Sequence, residues 1–338
     1  MFQAGLSEFP KDYRPLLDLY ETQDAIGRLK TIFAEELSDR LNLKRVSAPL
    51  FVDPKSGLND DLSGVEEAVK FRIPNANCEG EVVHSLAKWK RLALHRYQFF
   101  PNKGLYTDMN AIRREEELDN YHSVYVDQWD WELVLQPTQR NFETVKMVVE
   151  QIYKAINCTS ERLRHKYPQL PKIGREELFF ISAEDLYDLK PDLTAEERET
   201  WITKQHPAVF LYGIGYPLPN GEPHSKRSPD YDDWNLNGDL LYFDEVAGRA
   251  MELSSMGMRV DAETLDKQLD FADCNERRKL PFHKMLLNGE LPQTFGGGIG
   301  QSRLSMLLLG KAHIGEVQSS IWDEQTIEAA KKAGVTLL

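Results

Sequence analysis

Cysteine is scarce in this chain: Cys78, Cys158 and Cys274 are the only three in 338 residues, odd in number and widely spaced. No disulfide framework and no zinc-binding spacing can be built from them, which predicts a reducing, cytoplasmic setting. Long apolar runs are missing too. Nothing approaches the roughly 18 consecutive apolar residues of a membrane-crossing helix. The opening MFQAGLSEFPKDYRP has no basic start followed by an apolar stretch, so neither a membrane partner nor a signal peptide is expected. Internal repeats, low-complexity tracts and Pro/Gly/Ser linkers are absent. Positive charge is in short supply: 41 Lys and Arg stand against 54 Asp and Glu, a net of −13. A protein that grips many phosphates usually carries a net positive face, so nucleic acid is not expected as a partner. What remains is 41% hydrophobic and 28% charged, the composition of a globular protein with a sizeable core.

The apolar pattern then places elements. Residues 21–42 carry Ala25, Leu29, Ile32, Phe33, Leu37 and Leu41 at helical spacing. Val46, Ala48, Leu50 and Val52 alternate as in a strand, which Pro49 would confine to an edge or an interface. The polar stretch 53–64 reads as a loop. Short strands are expected over 68–73 and 81–84, and Ser85 reads as the N-cap of the helix that follows. Strands 107–113 and 121–132, joined by the charged residues 114–120, form a hairpin. A long helix follows Pro137, the stretch 160–205 reads as mostly helical, and strands are expected over 208–212, 240–243 and 250–260. The run GGGIGQSRLSMLLLG (296–310) reads as a glycine turn entering an apolar helix. Hairpins and short strands without strict βαβ alternation predict an α+β fold: a mixed, mainly antiparallel sheet flanked by helices. The glycines also fail the dinucleotide-binding fingerprint.

Residues two apart on a strand share a face. Val124, Val126, Gln128 and Asp130 therefore lie on one face, and Tyr125, Asp127, Trp129 and Trp131 on the other. Gln128 and Asp130 either end an edge strand in water or receive an ammonium group. On 250–260, Glu252 shares its face with Ala250 and Ser254. That face is either solvated or holds a hard cation beside a phosphate. Arg113 and Arg303 are surface residues or bidentate phosphate ligands. The glycines of 296–300 are either a flexible loop or a close backbone approach to a planar ligand. DYDDW (230–234) is either an acidic loop or a lid bringing Asp232 to a ligand.

These segments resemble a known family. Arg113-Arg114-Glu115 looks like motif 2 of class II aminoacyl-tRNA synthetases, residues 296–303 fit their motif 3 at every fixed position, and the helix and strand ending at Pro49 resemble motif 1, which makes the dimer interface. VVHSLAKWKR (82–91), HSVYVDQWDWE (122–132), PDYDDW (229–234), ELSSMGMRVD (252–261) and GGGIGQSRL (296–304) together resemble the ammonia-dependent asparagine synthetases, or aspartate–ammonia ligases, over nearly the whole chain from about residue 20. The organisation expected is an N-terminal extension, 1–20, and one class II synthetase-like catalytic domain, 21–338.

The resemblance implies that L-aspartate attacks ATP through its side-chain carboxylate, giving β-aspartyl-adenylate and pyrophosphate, and that ammonia then displaces AMP. Residue by residue, it implies Arg113 on the α-phosphate and Arg303 on the distal phosphates. Glu252, with Asp239 as the weaker candidate, would hold Mg²⁺, and Ser254, Ser255, Asp232 and Arg259 would lie beside the nucleotide. Asp130 and Gln128 would take the α-ammonium of aspartate, Lys90 with Ser85 its α-carboxylate, and Asp60 the ammonium ion. A homodimer working on small molecules is implied. A glutamine-dependent enzyme is not expected, because position 2 is Phe rather than Cys. The alternatives are a class II paralogue acting on tRNA, for which an added RNA-binding module would be required and only 35 residues follow Arg303, or a non-catalytic regulator, which would not need Arg113, Glu252 and Arg303.

Overall fold

The apolar spacing near the N-terminus becomes helix α1 (Leu19–Leu41) in a computed structural model that describes residues 7–62, 66–173 and 177–338. Asp18 and Glu21 close its first turn as a capping box, and Asn42, at φ 53°, ends it in the left-handed region. Its apolar stripe, including Ala25, Leu29, Phe33 and Leu37, is buried.

The strand expected over 46–52 is instead split. β1 (Leu43–Arg45) joins the large sheet and β2 (Phe51–Val52) a small one. Between them Val46 donates one more bond to Tyr106, and Pro49, which has no N–H, sits where the chain changes sheets. β3 (Lys70–Ile73) and β4 (Cys78–Val82) complete the small antiparallel sheet in the order β2-β4-β3. The loop expected over 53–64 contains one 3-10 turn (Pro54–Ser56), and its residues 63 and 64 lie outside the described residues. Helix α2 (Ala87–Arg96) has Leu86, not Ser85, at its N-cap; the Ser85 Oγ sits one residue earlier and accepts from the Ala87 amide at 3.4 Å.

The hairpin forms from β5 (Gly104–Ile112) and β6 (Tyr125–Val134), with residues 121–124, expected in the second strand, belonging to the connection instead; helix α3 (Phe142–Lys166) follows. The stretch 160–205 is less helical than expected. It holds a strand, β7 (Phe179–Ser182), before helices α4 (Ala183–Leu189) and α5 (Ala195–Gln205), and its residues 174–176 lie outside the description. β8 (Ala208–Tyr212), β9 (Asp232–Asp244) and β10 (Arg249–Arg259) follow, then α6 (Ala262–Phe271) and α7 (Pro281–Leu287). The glycine run is not a turn but a strand, β11 (Thr294–Gly300), that passes directly into α8 (Gln301–Leu309); α9 (Glu324–Ala333) is the last helix.

The eight-stranded sheet runs β1-β5-β6-β11-β10-β9-β8-β7. Its two outer pairs are parallel and the five inner pairings antiparallel. One face carries Trp129, Trp131, Phe295, Leu240 and Met256 into a core closed by α1, α3 and α8. The other face, at the centre of β6, β11 and β10, is the floor of a cavity. Among the described residues no helix is long and apolar enough to cross a membrane, and the three cysteines are unpaired.

Candidate active site

The floor follows from strand alternation. With Trp129 and Trp131 buried on the core side, Gln128 and Asp130 of β6 must face the cavity, and both line it. β11 lies alongside in register, with Gly296 opposite Glu132, Gly298 opposite Asp130 and Gly300 opposite Gln128. A Cβ at Gly298 would run into the Gln128 amide, and one at Gly296 into Glu132 and Arg259. Here glycine makes room for facing side chains rather than for a turn.

The cavity, of about 320 Å³, brings together Asp60 from the loop before β3, Ser85 and Lys90 at the start of α2, Arg113 after β5, Gln128 and Asp130, Asp232 opening β9, Glu252, Ser255 and Arg259 of β10, and Arg303 of α8. Two expected residues are not on its wall. Ser254 is turned away. Glu252 sits opposite Leu241 and Ser254 opposite Leu240, so β10 spends an extra residue there, and beyond this bulge Ser255 inherits the face of Glu252. The Ser254 hydroxyl donates to Gly298 O at 2.9 Å instead. Asp239 lies beneath the wall, paired with Arg227 next to Ser255. DYDDW is not a solvated loop: Asp230 and Tyr231 form the turn and bend leading into β9, and residues 232–234 open the strand. Asp230, Asp232 and Asp233 are buried, Asp230 by Lys88, Arg277 and His283 and Asp232 by Arg259.

Charge decides what this cavity can bind. The whole chain has 13 more acids than bases. Among the described residues of the wall, however, Lys90, Arg113, Lys226, Arg227, Arg259 and Arg303 match the acids one for one. Arg113 and Arg303 open onto the same space. Arg113 contributes Nη2 to the His84 carbonyl at 3.5 Å and lies 3.8 Å from Glu116; Arg303 donates to the Tyr121 and Glu252 carbonyls at 3.3 and 2.9 Å. Their hydrogen bonds go to backbone carbonyls, and the nearest carboxylates, Glu116 and Glu252, stand 3.8 Å away, which leaves guanidinium charge for an anion. Glu252 feels them. Burial opposes its ionisation, yet Arg303, Arg227 and Arg113 hold its carboxyl below the ordinary value.

Lys90 and Asp130 pair with each other, and Lys90 also donates to Trp131 O and Gly297 O at 3.0 Å. Burial pushes the Asp130 carboxyl up and the Lys90 ammonium down, so the pair persists through mutual attraction. Glu132 below them receives Arg259 through two nitrogens, at 3.0 and 2.8 Å, and the Thr294 hydroxyl at 2.7 Å. Arg259 also grips Asp232, so its guanidinium is consumed by the framework.

Sequence reasoning missed Arg227 and Tyr231. Arg227 donates to Ser255 Oγ at 2.8 Å and to Asp239; the basic pair Lys226-Arg227 just before PDYDDW was the available signal. Tyr231 lines the cavity with its phenol pushed well up by burial, and the Asp60 carboxylate adds to the shift.

With this geometry in place, comparison with known proteins becomes informative. The aspartate–ammonia ligase family profile matches residues 20–334. The chain belongs to the aspartate–ammonia ligase family. The aspartate–ammonia ligase of Clostridium perfringens is 57% identical over 332 residues, covering 97% of this chain and 98% of that one. The ligase of Lactobacillus johnsonii is 54% identical over 333 residues, with 97% and 98% covered. Among solved structures, asparaginyl-tRNA synthetase of Entamoeba histolytica in complex with asparaginyl-adenylate aligns with a TM-score of 0.65 at 14% identity, over 89% of this chain and 66% of that one. The Pyrococcus horikoshii asparaginyl-tRNA synthetase complexed with asparaginyl-adenylate aligns with a TM-score of 0.62 at 15% identity, over 88% and 68%. At such identity these two establish the fold, that of class II synthetase catalytic domains. The fold and family expected from the motifs are borne out, and a tRNA-directed or non-catalytic paralogue is not favoured.

Proposed function

We propose that the cavity makes L-asparagine from L-aspartate, ATP and ammonia through a β-aspartyl-adenylate, releasing pyrophosphate and AMP. The observation that carries this reading is that Arg113, Arg303 and Glu252 line one cavity together with Gln128, Asp130 and Lys90.

A carboxylate and a triphosphate repel, so the first step needs fixed positive charge along the line of attack. Arg113 would take the α-phosphate and Arg303 the distal phosphates, with Ser255 and Asp232 beside the nucleotide. Aspartate would lie on the floor. Asp130 and Gln128 receive its α-ammonium, and Lys90 with Ser85 its α-carboxylate, which requires the Lys90–Asp130 pair to open around the substrate. The substrate therefore sits reversed relative to an aspartate activated at its α-carboxylate, with the side-chain acid toward the α-phosphate. A substrate-bound structure with the α-carboxylate nearest that phosphate would end this orientation. Asp60 supports the second step by holding ammonium beside the adenylate. Its work there is placement.

For a divalent cation the wall offers Glu252, with Asp239 behind it; among the described residues no cluster of three or more acids, histidines or cysteines could hold a metal. One oxygen of Asp239 is buried without a hydrogen-bond partner, and burial, with the neighbouring Glu252 carboxylate, pushes Asp239 up to about 7. Glu252 and Asp239 would hold Mg²⁺, which when bound would screen phosphate charge. The helix α1 and strand β1 region would supply the homodimer contact, and the setting is the cytoplasm.

The test is to incubate aspartate, ATP and ammonium and follow AMP and asparagine together. Equal release of both is expected; ADP in place of AMP excludes the adenylate route.

A further inference from the structure

His84 is buried between the two halves of the proposed chemistry, and nothing above gives it work. It is 1% exposed, directly before Ser85 and just after β4. Its ring Nδ1 lies 2.9 Å from the Asp60 carbonyl. A carbonyl only accepts, so Nδ1 carries the hydrogen and the tautomer is fixed. Its backbone amide donates to Asn59 Oδ1 at 2.8 Å, and the same Asn59 oxygen accepts the Asp60 amide at 3.0 Å. Asn59 Nδ2 ties the arrangement to Val82 O at 3.2 Å. The backbone of Asp60 is thus held at both its N–H and its C=O. On its other side, the His84 carbonyl receives Arg113 Nη2. One residue therefore touches both the loop of Asp60 and the arginine that faces the α-phosphate.

We propose that His84 is a positioning residue for the amide-forming step: its Nδ1–H fixes Asp60 at a set distance from Arg113, and so places the ammonium subsite against the activated carboxyl. The inference deepens the proposed function and rests on the reading of Asp60 given there. It makes a directional statement. The Arg113 contact uses the backbone carbonyl, which any side chain leaves in place, whereas the Asp60 contact uses Nδ1. Side-chain substitutions should therefore disturb ammonia use and spare adenylation.

Three variants and one control test it. In His84→Asn the side-chain amide nitrogen stands near the place of Nδ1. In His84→Gln the donor lies farther out, and in His84→Leu it is gone. ATP–pyrophosphate exchange and the KM for ATP are expected to stay at wild-type values in all three. The KM for ammonium is expected to rise roughly tenfold in the Gln and Leu variants, the worth of one hydrogen bond, and to remain within about threefold in the Asn variant. If all three variants behave alike toward ammonium, or if exchange falls in step with asparagine formation, the proposal is overturned and His84 is a packing residue. Asp60→Asn, assayed in parallel, separates the two claims. Loss of exchange together with the amide step in that control, or loss of neither, removes the reading of Asp60 and this proposal with it. An Asp60 control that behaves as expected, beside indifferent His84 variants, removes only the latter.

Discussion

Two residues of the cavity wall, Arg303 and Asp60, have different steps in the proposed reaction, and kinetics can tell them apart. Arg303 meets only neutral carbonyls closely, with Glu252 at 3.8 Å, so its charge is available to phosphate. Replacing it by alanine removes charge stabilisation from adenylate formation, an effect of the order of 10²–10³ in rate for one well-placed donor. ATP–pyrophosphate exchange and asparagine synthesis should fall together in R303A. Asp60 is different. It is 3% exposed, its carboxylate accepts the Leu62 amide at 3.0 Å, and it lies against the cavity beside Tyr231. In the proposed reaction, Asp60→Asn keeps the shape and removes the charge that would attract ammonium. Exchange should remain within about threefold of wild type while the ammonia-dependent step drops about 10²-fold, the scale of a lost positioning contact. An equal loss in both assays would refute that division of labour. The alternation of β6 made Gln128 and Asp130 legible from sequence, because buried tryptophans on one face leave no choice about the other. Ser254 was misplaced because a single extra residue at the Glu252 bulge reverses the face of all that follows, and alternation carries no sign of such a bulge. Arg227 was missed because its value lies in Asp239 and Ser255, partners on other strands.

At the scale of elements, the aim of Arg303 depends on how α8 begins. Its N-cap is Gly300, which has no side chain to offer the first amides. Asp127, on the core side of β6, does so from outside the helix. One oxygen accepts the Ser302 amide at 3.1 Å, the Ser302 hydroxyl at 2.6 Å and Gln318 Nε2 at 3.2 Å, while the other meets Lys30 of α1 at 3.1 Å. This carboxylate therefore caps α8, favours its N-terminal dipole and ties it to β6 and α1. Asp127→Ala should cost about 1–3 kcal/mol in chemical denaturation, the range for a lost cap that also strands buried donors, and should raise the KM for ATP. Asp127→Asn, which keeps an acceptor, should lose less of both. Wild-type ATP affinity in the alanine variant would show that the start of α8 does not aim Arg303. The same element shows why the glycine run was read as a turn. Glycine-rich segments are usually loops, but here Gly296 and Gly298 face large polar side chains on neighbouring strands, Glu132 and Arg259 for the first and Gln128 for the second, and the space those side chains need is not visible in the run itself. The large hairpin, α1, α3 and β8 were legible because their periodicity is long or uninterrupted. The split at Pro49 and the four-residue β7 are decided by which sheet has a free edge, which no local pattern states.

At the scale of the molecule, the N-terminal segment is locked to the chain's C-terminal part by a buried polar cluster. Tyr13 Oη donates to Glu316 at 2.9 Å, the Asn120 amide bridges the Glu8 and Ala312 carbonyls at 2.7 Å each, and Ser7 meets both His313 Nε2 and Thr326 Oγ1. Glu316 and His313 both titrate in this cluster; burial pushes the Glu316 carboxyl up and the His313 imidazole down. The Gly315 amide donates to its Nδ1 at 2.9 Å, so that nitrogen holds a lone pair and Nε2 carries the hydrogen, donated to Ser7 Oγ. Protonation at Nδ1 would break the Gly315 bond and leave a cation in a fully buried site. Burial accordingly pushes His313 down to about 4, although the Asp119 and Asp323 carboxylates pull the other way. The sign follows directly. Between pH 6.5 and 4 the unfolded chain takes up a proton that the folded one refuses, so this group's stabilisation is complete above pH 6.5 and is lost as the pH falls toward 4. A displacement of that size amounts to at most about 3 kcal/mol. Many carboxylates of this acidic chain titrate in the same range, so the informative quantity is a difference between two proteins. His313→Asn offers an oxygen acceptor near the place of Nδ1 and does not titrate. Its urea midpoint should lie below that of wild type at pH 7.5, and the gap should narrow steadily to pH 4.5 as the wild-type fold loses the contribution of its neutral histidine. Parallel midpoint curves for the two proteins across that range would show that His313 is protonated in the folded chain at no greater cost than in the unfolded one, and that the terminal lock is insensitive to acid.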